Sequence, residues 1–238
     1  MIVPLRVRSH SRDVHVARFL IICGALLAAV AVPAQDIVTA QEFFGKVSAK
    51  FAGIKDYSCD FTYTREDTVA SGKLYYKSPN QLRLNYSVPD GQVVLMDGEK
   101  LQVYLPSLSL ILEQTFDKKS SAELEAMASE RALKLLADGY DIAYLESPGL
   151  VPLDDKSKEQ VVKLKLTRRS ATEMYREIVL DITPDFMIRR SEGLLEDRTT
   201  AVMDYTNIRV NQNLPASRFR EEAWPEANVY SDFLTGND

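Results

Sequence analysis

The 238-residue chain carries 34 acidic and 29 basic side chains, which gives it a formal net charge of −5. A net negative charge argues against nucleic acid or an anionic membrane surface as a partner. Its two histidines and one of its two cysteines lie within the first 34 residues. The remaining residues therefore lack the histidine that catalytic triads use and the His and Cys clusters that bind zinc.

The N-terminal segment predicts a secretory signal peptide. Four arginines and one aspartate precede an apolar run at Phe19–Val32, and small residues follow up to Ala34. We place the cleavage after Ala34, so that residues 1–34 are removed and one domain spans residues 35–238. The leader carries a charge of +3, which leaves −8 on that domain.

The two cysteines have different expected states. Cys23 lies inside the apolar run and follows Ile22, whereas the residue before a lipoprotein acylation site is small, so we expect no lipid attachment. The alternative of an uncleaved anchor is disfavoured because a membrane span needs about 20 apolar residues. Cys59 is predicted to be packed and inert, with no second cysteine for a disulfide. We expect an exported, soluble protein of the periplasm.

The first half of the exported domain predicts one helix and six strands. A capping box at Thr39 and Glu42 opens an amphipathic helix over about 38–52. The apolar face of this helix contains Phe44, Val47, Phe51 and Ile54. Period-2 alternation then predicts strands at about 56–67, 70–78, 81–88, 92–97, 100–105 and 108–116.

The second half predicts a helix and five further strands. Ser120 or Ser121 caps a helix over about 121–138, and a surface loop occupies 148–158. The strands are expected at about 140–147, 159–169, 173–183, 187–195 and 198–211. Two of them carry matching apolar residues, namely Val162, Leu164, Leu166 and Ile178, Leu180, Ile182. The tail after Phe219 is predicted to be irregular.

About eleven antiparallel strands with two helices predict an α+β fold that is mainly β. An open sheet of this size curls, and two helices across its mouth would complete an incomplete antiparallel β-barrel around an apolar interior. The alternative is a sheet whose apolar face is simply filled by side chains. Alternation alone does not separate a filled interior from a cavity.

Three segments carry a resemblance through their order and spacing. They are GKLYYKSPN at Gly72–Asn80, the Pro89-Asp90 turn, and DGEKLQVYLP at Asp97–Pro106. Together with the flanking helices and LPASRF at Leu214–Phe219, they resemble the periplasmic outer-membrane lipoprotein carriers of the LolA family, as a divergent branch. The likeness extends over most of residues 36–230.

The resemblance implies a helix-covered incomplete barrel whose cavity shields the acyl chains of lipoproteins. Such carriers take their cargo from an inner-membrane lipoprotein-release transporter to an outer-membrane acceptor. This role requires no catalytic residue, metal or cofactor, so we expect no enzyme activity.

The resemblance also assigns candidate ligand-binding residues. The strand that lines the family's cavity corresponds to Leu82, Leu84 and Tyr86. Their neighbours on the same face are Leu74, Tyr76, Leu101 and Val103. The lid would be the second predicted helix, covering the sheet through Leu124, Met127 and Leu135. One position departs from the family pattern: Ser78 stands where the best-studied branch has an arginine that restrains the lid.

Two alternatives come from other functional classes. Domains of the same fold serve as periplasmic sensors or regulators that bind a membrane-anchored signalling protein, usually with an additional C-terminal domain. The chain ends about 20 residues after Phe219, which favours the carrier. An enzyme using Asp154-Asp155 or Glu221-Glu222 is disfavoured, because adjacent carboxylates in loops are normally solvated.

Overall fold

A single open sheet of thirteen strands dominates the part of the chain that this computed structural model describes, residues 38–116, 129–220 and 224–233. The strands are β1 (Asp56–Arg65), β2 (Thr68–Lys77), β3 (Gln81–Val88), β4 (Val93–Met96), β5 (Lys100–Leu105), β6 (Leu110–Thr115), β7 (Tyr140–Tyr144), β8 (Val151–Pro152), β9 (Gln160–Arg168), β10 (Tyr175–Ile182), β11 (Ile188–Leu195), β12 (Thr200–Val210) and β13 (Asn228–Ser231). Their order across the sheet is β13-β6-β5-β4-β3-β2-β1-β12-β11-β10-β9-β7, and β8 pairs with β9.

All eleven predicted strands are confirmed, and two further strands were missed. Strand β8 lies in the segment predicted as a loop, and β13 lies in the tail predicted to be irregular. Strand β8 contains only two residues, too few for alternation to be recognised, and all four residues of β13 are exposed, so it has no buried face to give an apolar pattern. Strand β13 runs parallel to β6, which is an exception to the predicted antiparallel order.

The first predicted helix is confirmed as α1 (Ala40–Ala52). Thr39 Oγ1 accepts a hydrogen bond from the Glu42 backbone N–H at 3.2 Å, and Glu42 Oε2 accepts one from the Thr39 N–H at 2.8 Å. This reciprocal pair satisfies two backbone donors that a helix start otherwise leaves unpaired. The capping box therefore fixes where the helix begins.

The second helix, α2, spans Glu130–Gly139. The Ser129 side chain caps it by accepting a hydrogen bond from the Ala132 N–H at 3.3 Å. The helix predicted over 121–138 is confirmed in this second half, while Leu124, Met127 and the predicted leader with its cleavage point lie outside the described residues. Among the described helices, none is long and apolar enough to cross a bilayer.

The main core lies between α1 and the concave face of the sheet. Phe44, Val47 and Phe51 project from α1 into this core, where burial of each contributes about 1.5–3 kcal/mol. The sheet supplies the facing side chains, which include Tyr57, Leu74, Tyr76, Leu164, Leu166, Ile178, Leu180 and Ile182. The Tyr144 hydroxyl donates to the Val38 carbonyl at 2.8 Å, which ties the start of α1 to β7.

A second packed layer covers part of the outer face. The 3-10 turn Ala216–Phe219 packs against β3, with Phe219 only 1% exposed. Arg83 on β3 donates from Nη1 to the Arg218 carbonyl at 3.2 Å, and the Arg218 guanidinium lies 4.3 Å from the Tyr75 ring centroid. The C-terminal segment thus closes the face opposite α1.

We expect Phe219→Ala to lower the free energy of unfolding by about 3–5 kcal/mol, because it leaves a cavity in this outer layer. Urea unfolding followed by circular dichroism measures the change. Tyr230→Ala is the control, since Tyr230 is 53% exposed and its loss should cost about 0.5 kcal/mol or less. Equal effects of the two substitutions would show that the turn does not anchor the sheet.

A buried carboxylate, Asp181, lies on the outer face of β10 with 1% exposure. Lys163, its cross-strand neighbour on β9, donates to the Leu153 carbonyl at 2.9 Å and stays 3.6 Å from Asp181 Oδ1. Neither carboxylate oxygen accepts a hydrogen bond from the described residues. Burial therefore raises the pKa of Asp181 to about 6, although the Lys163 charge opposes the shift.

We expect Asp181→Asn to become more stable relative to the native chain as the pH rises from about 4 to about 7. An aspartate in the unfolded chain has a pKa near 3.9, which is below the pKa of about 6 that Asp181 has in the native state. The native state therefore binds the proton more tightly and is stabilised at low pH, and this stabilisation is lost as the pH rises through about 6. The difference in the free energy of unfolding between the variant and the native chain should change by roughly 3 kcal/mol over this range. Urea titrations of both proteins across this range provide the measurement, and a pH-independent difference would contradict the raised pKa.

Candidate ligand-binding site

The seven predicted ligand-binding residues lie on the concave face of strands β2–β5. Leu74 is opposite Leu84, and Tyr76 is opposite Leu82, across the β2–β3 ladder. On the next strands, Leu84 is opposite Val94, which is opposite Val103. Likewise, Leu82 is opposite Met96, which is opposite Leu101. Tyr86 is opposite Gly72. Because directly opposite residues share a face, the structure brings all seven predicted residues onto one surface.

These residues are packed to different extents. Leu74, Tyr76 and Leu101 are buried, whereas the other four are only half-buried. The Tyr76 hydroxyl donates to the Pro79 carbonyl at 3.0 Å, and Tyr86 makes an edge-to-face contact with Phe61 at 5.2 Å. Part of the predicted surface is therefore core, and the half-buried Leu82, Leu84 and Tyr86 pack against it. Ligand binding by these residues stays a prediction.

A cavity of about 660 Å³ lies over the other half of the sheet, between α2 and strands β10–β12. None of the seven predicted residues is among its described lining residues. Its sheet side is formed by Ile178, Leu180, Ile188, Ser191 and Tyr205, and the segment Thr172–Tyr175 closes one side. The volume falls in the range typical of small-molecule sites, about 300–1,000 Å³.

Helix α2 forms the roof of this cavity through Ala132, Leu133, Leu135 and Leu136. Of the predicted lid residues, Leu135 lines the cavity and is 46% exposed, while Leu133 is buried in the core. The roof therefore has two buried contacts, Ala132 and Leu133, and two looser ones, Leu135 and Leu136. That α2 acts as a lid stays a prediction.

The C-terminal end of α2 is held by Arg169, which follows β9. Its Nη1 donates to the carbonyls of Asp138 at 2.9 Å and Ala137 at 3.3 Å, and its Nε donates to Asp141 at 2.8 Å. A cation at this position also interacts favourably with the negative end of the helix dipole. Ser78, where the family pattern has an arginine, is exposed and donates its backbone N–H to the Lys55 carbonyl.

We expect Arg169→Gln to increase the hydrogen-exchange rate of α2 amides several-fold, because the last carbonyls of the helix lose their charged donor. Arg176→Gln on the exposed side of β10 is the matched control and should leave α2 unchanged. Exchange followed by mass spectrometry reports both variants. Unaltered protection of residues 130–139 in Arg169→Gln would mean that Arg169 does not hold the roof.

The cavity wall is apolar apart from a polar pair and an acidic rim. The Tyr205 and Ser191 side chains both line this wall, and burial raises the pKa of both Tyr205 and Tyr175. Asp138 and Glu173 are the charged side chains among the described lining residues. Such a wall suits an apolar chain inside and a polar group at the opening.

Three other sequence predictions concern reactive groups. Cys59 is buried and unpaired, and burial raises the pKa of its thiol to about 12, as expected of an inert cysteine. Asp154 accepts a hydrogen bond from the Lys156 N–H and forms an ion pair with Arg190 at 3.5 Å, in a surface turn. Glu221 and Glu222 lie outside the described residues. Within the described ranges, no three His, Cys, Asp or Glu side chains gather as metal ligands would.

Comparison with known proteins assigns the family. The profile of the outer membrane lipoprotein carrier protein LolA family matches residues 53–222. The chain belongs to this family. The outer-membrane lipoprotein carrier protein of Chromohalobacter salexigens is 25% identical over 218 residues, which cover 86% of this chain and 94% of the relative. That of Bordetella avium is 25% identical over 181 residues, or 73% of this chain and 80% of the relative.

Solved structures support the same fold for this LolA-family chain. An uncharacterized conserved protein from Thermus thermophilus superposes with a TM-score of 0.53 at 13% identity, over 81% of this chain and 98% of that one. The crystal structure of MucB gives a TM-score of 0.51 at 16% identity, over 77% of this chain and 63% of MucB. These superpositions show a shared fold, and the open sheet of thirteen strands is consistent with the predicted incomplete barrel.

Sequence reasoning missed the cavity-lining residues of β10–β12. The signal for Ile178 and Leu180 was present, because their alternation was recognised as a buried strand face. Ser191 and Tyr205 gave no comparable signal, since a serine or tyrosine within a strand is equally common on a solvated face. Their role depends on α2 lying above this part of the sheet without filling the space beneath it.

Proposed function

We propose that this LolA-family protein is a periplasmic carrier that shields the acyl chains of lipoproteins and moves them towards the outer membrane. By family analogy, an inner-membrane transporter would supply the cargo and an outer-membrane acceptor would receive it. The observation that carries the proposal is the apolar cavity of about 660 Å³ beneath α2.

The energetics favour a binding role for such a cavity. Each acyl methylene removed from water is stabilised by about 0.8 kcal/mol, so a short buried length already keeps a lipid anchor from aggregating. The acidic rim at Asp138 and Glu173 leaves the polar part of a cargo in water. It disfavours a cargo whose polar part is negatively charged. No chemical step is needed for this role.

Release requires that the shielding contacts be reversible. Leu135 and Leu136 on α2 are not fully buried, so they can exchange protein contacts for ligand contacts at small cost. Leu133 keeps the helix attached to the core while this happens. The half-buried residues Leu82, Leu84, Tyr86 and Val103 form a separate surface that the family correspondence assigns to acyl chains.

The proposal is tested by introducing a charge into the roof. We expect Leu136→Glu to weaken binding of a fluorescent acyl probe at least tenfold, because acyl contact would then desolvate a carboxylate. Leu150→Glu is the control: Leu150 is exposed in a surface loop away from the cavity, and its variant should bind normally. Circular dichroism of each variant confirms that the fold is retained.

Comparison of Leu84→Glu with Leu136→Glu shows which half of the sheet holds the cargo. A loss of binding in Leu84→Glu but not in Leu136→Glu would place the acyl chains over β2–β5, as the family correspondence predicts. Loss in both would indicate one continuous site. Normal binding in both folded variants would overturn the carrier proposal.

Mass spectrometry of the protein purified gently from the native periplasm identifies the cargo directly. Bound lipoprotein or lipid supports the carrier. Recovery of a membrane-anchored signalling protein without lipid would instead support the alternative, a periplasmic sensor or regulator.

A further inference from the structure

Tyr205 occupies an unusual position among the cavities of the interior. It lines the 660 Å³ cavity beneath α2, a void of about 10 Å³ near Phe51 and Cys59, and a surface pocket of about 370 Å³. The first two share Ile188 and Tyr205 in their walls. The void and the surface pocket share Met187, Tyr205 and Ile208. These three spaces therefore follow one another across the barrel, with Tyr205 at both junctions.

The void itself is too small to be a passage. A volume of about 10 Å³ is at the limit for a single water molecule, and its lining is apolar apart from the tyrosines and Cys59. Beyond it, the surface pocket is lined by charged groups that include Lys50, Asp185 and Arg189. An acyl chain that reached this pocket would expose methylenes to water and to charge.

Tyr205 is held as a fixed obstruction between these spaces. It is buried on β12 opposite Phe61 of β1, and it packs within the core among residues of the neighbouring strands. A rotation of the ring would disturb these packing contacts. The ring therefore acts as a wall of the cavity and does not swing freely.

We propose that Tyr205 is the end stop of the acyl-binding cavity and sets the length of acyl chain that the protein accepts. This inference rests on the proposed carrier function and adds a specificity-determining residue to it. Chains up to the stop gain a buried methylene for each added carbon, and longer chains must leave their excess in water. Removing the ring would join the cavity to the surface pocket.

The test measures affinity across a homologous series of uncharged saturated fatty alcohols from decanol to docosanol, by competition with a fluorescent acyl probe. In the native protein, affinity should rise about fourfold per added methylene and then level off at one chain length. In Tyr205→Ala, the levelling point should move to longer chains. Tyr205→Phe keeps the ring and should level off at the native length.

Tyr175→Ala is the matched control, because Tyr175 lines the same cavity and does not line the void or the surface pocket. It should widen the cavity and leave the levelling point at the native chain length, whereas Tyr205→Ala should move it to longer chains. If Tyr205→Ala does not fold, Tyr205→Leu is measured in its place, because leucine leaves a smaller gap in the core.

A second readout detects the chain end itself. Val210→Cys on the surface pocket is labelled with a fluorophore, while buried Cys59 stays unlabelled. A fatty alcohol with a nitroxide at its terminal carbon should quench this label in the Tyr205→Ala background and not in the Tyr205→Phe background.

The outcomes separate the two proposals. Absence of fatty-alcohol binding by the native protein would overturn the carrier proposal. Binding with the same levelling point and quenching in Tyr205→Ala and Tyr205→Phe would leave the carrier intact and overturn the role of Tyr205.

Discussion

The whole structure depends on covering the concave face of a sheet whose outermost strands do not meet. Strands β7 and β13 end the hydrogen-bonded order, so the interior is closed by helices and not by further strand pairing. Helix α1 covers the middle of this face with three large apolar side chains. Its attachment to β7 through Tyr144 keeps it over the core. What remains uncovered by α1 decides where a ligand fits.

The two halves of the sheet are covered by different parts of the chain. Strands β3–β5 are backed on the outer face by the C-terminal segment, including the stacked pair of Tyr104 and Trp224 at 4.5 Å. Strands β10–β12 carry an outer face of ion pairs, in which Asp204 accepts from both Arg189 and Arg190 at 2.8 Å. Their concave face lies under the short helix α2, and this is where the cavity forms. A charged outer face and a partly empty inner face thus occur on the same strands.

The sequence predicted the strands well because period-2 alternation is a local property of each segment. Thr39 and Glu42 likewise fixed the start of α1 through contacts three residues apart. The position of the cavity is different, because alternation at Leu82 and Leu84 looks the same as alternation at Ile178 and Leu180. Only the placement of α2 distinguishes them. Asp181 was missed for a similar reason, since its burial depends on tertiary packing around β9 and the segment after β8.

The ends of the sheet also bear on how the protein behaves at high concentration. Unpaired strand edges are templates for pairing with other chains, which is a hazard for any wide open sheet. Here the edge strands are short, five residues in β7 and four in β13. Asp141 on β7 is engaged by Arg169, so charge lies directly at that edge. The same arginine that holds α2 therefore also discourages edge-to-edge aggregation of neighbouring molecules.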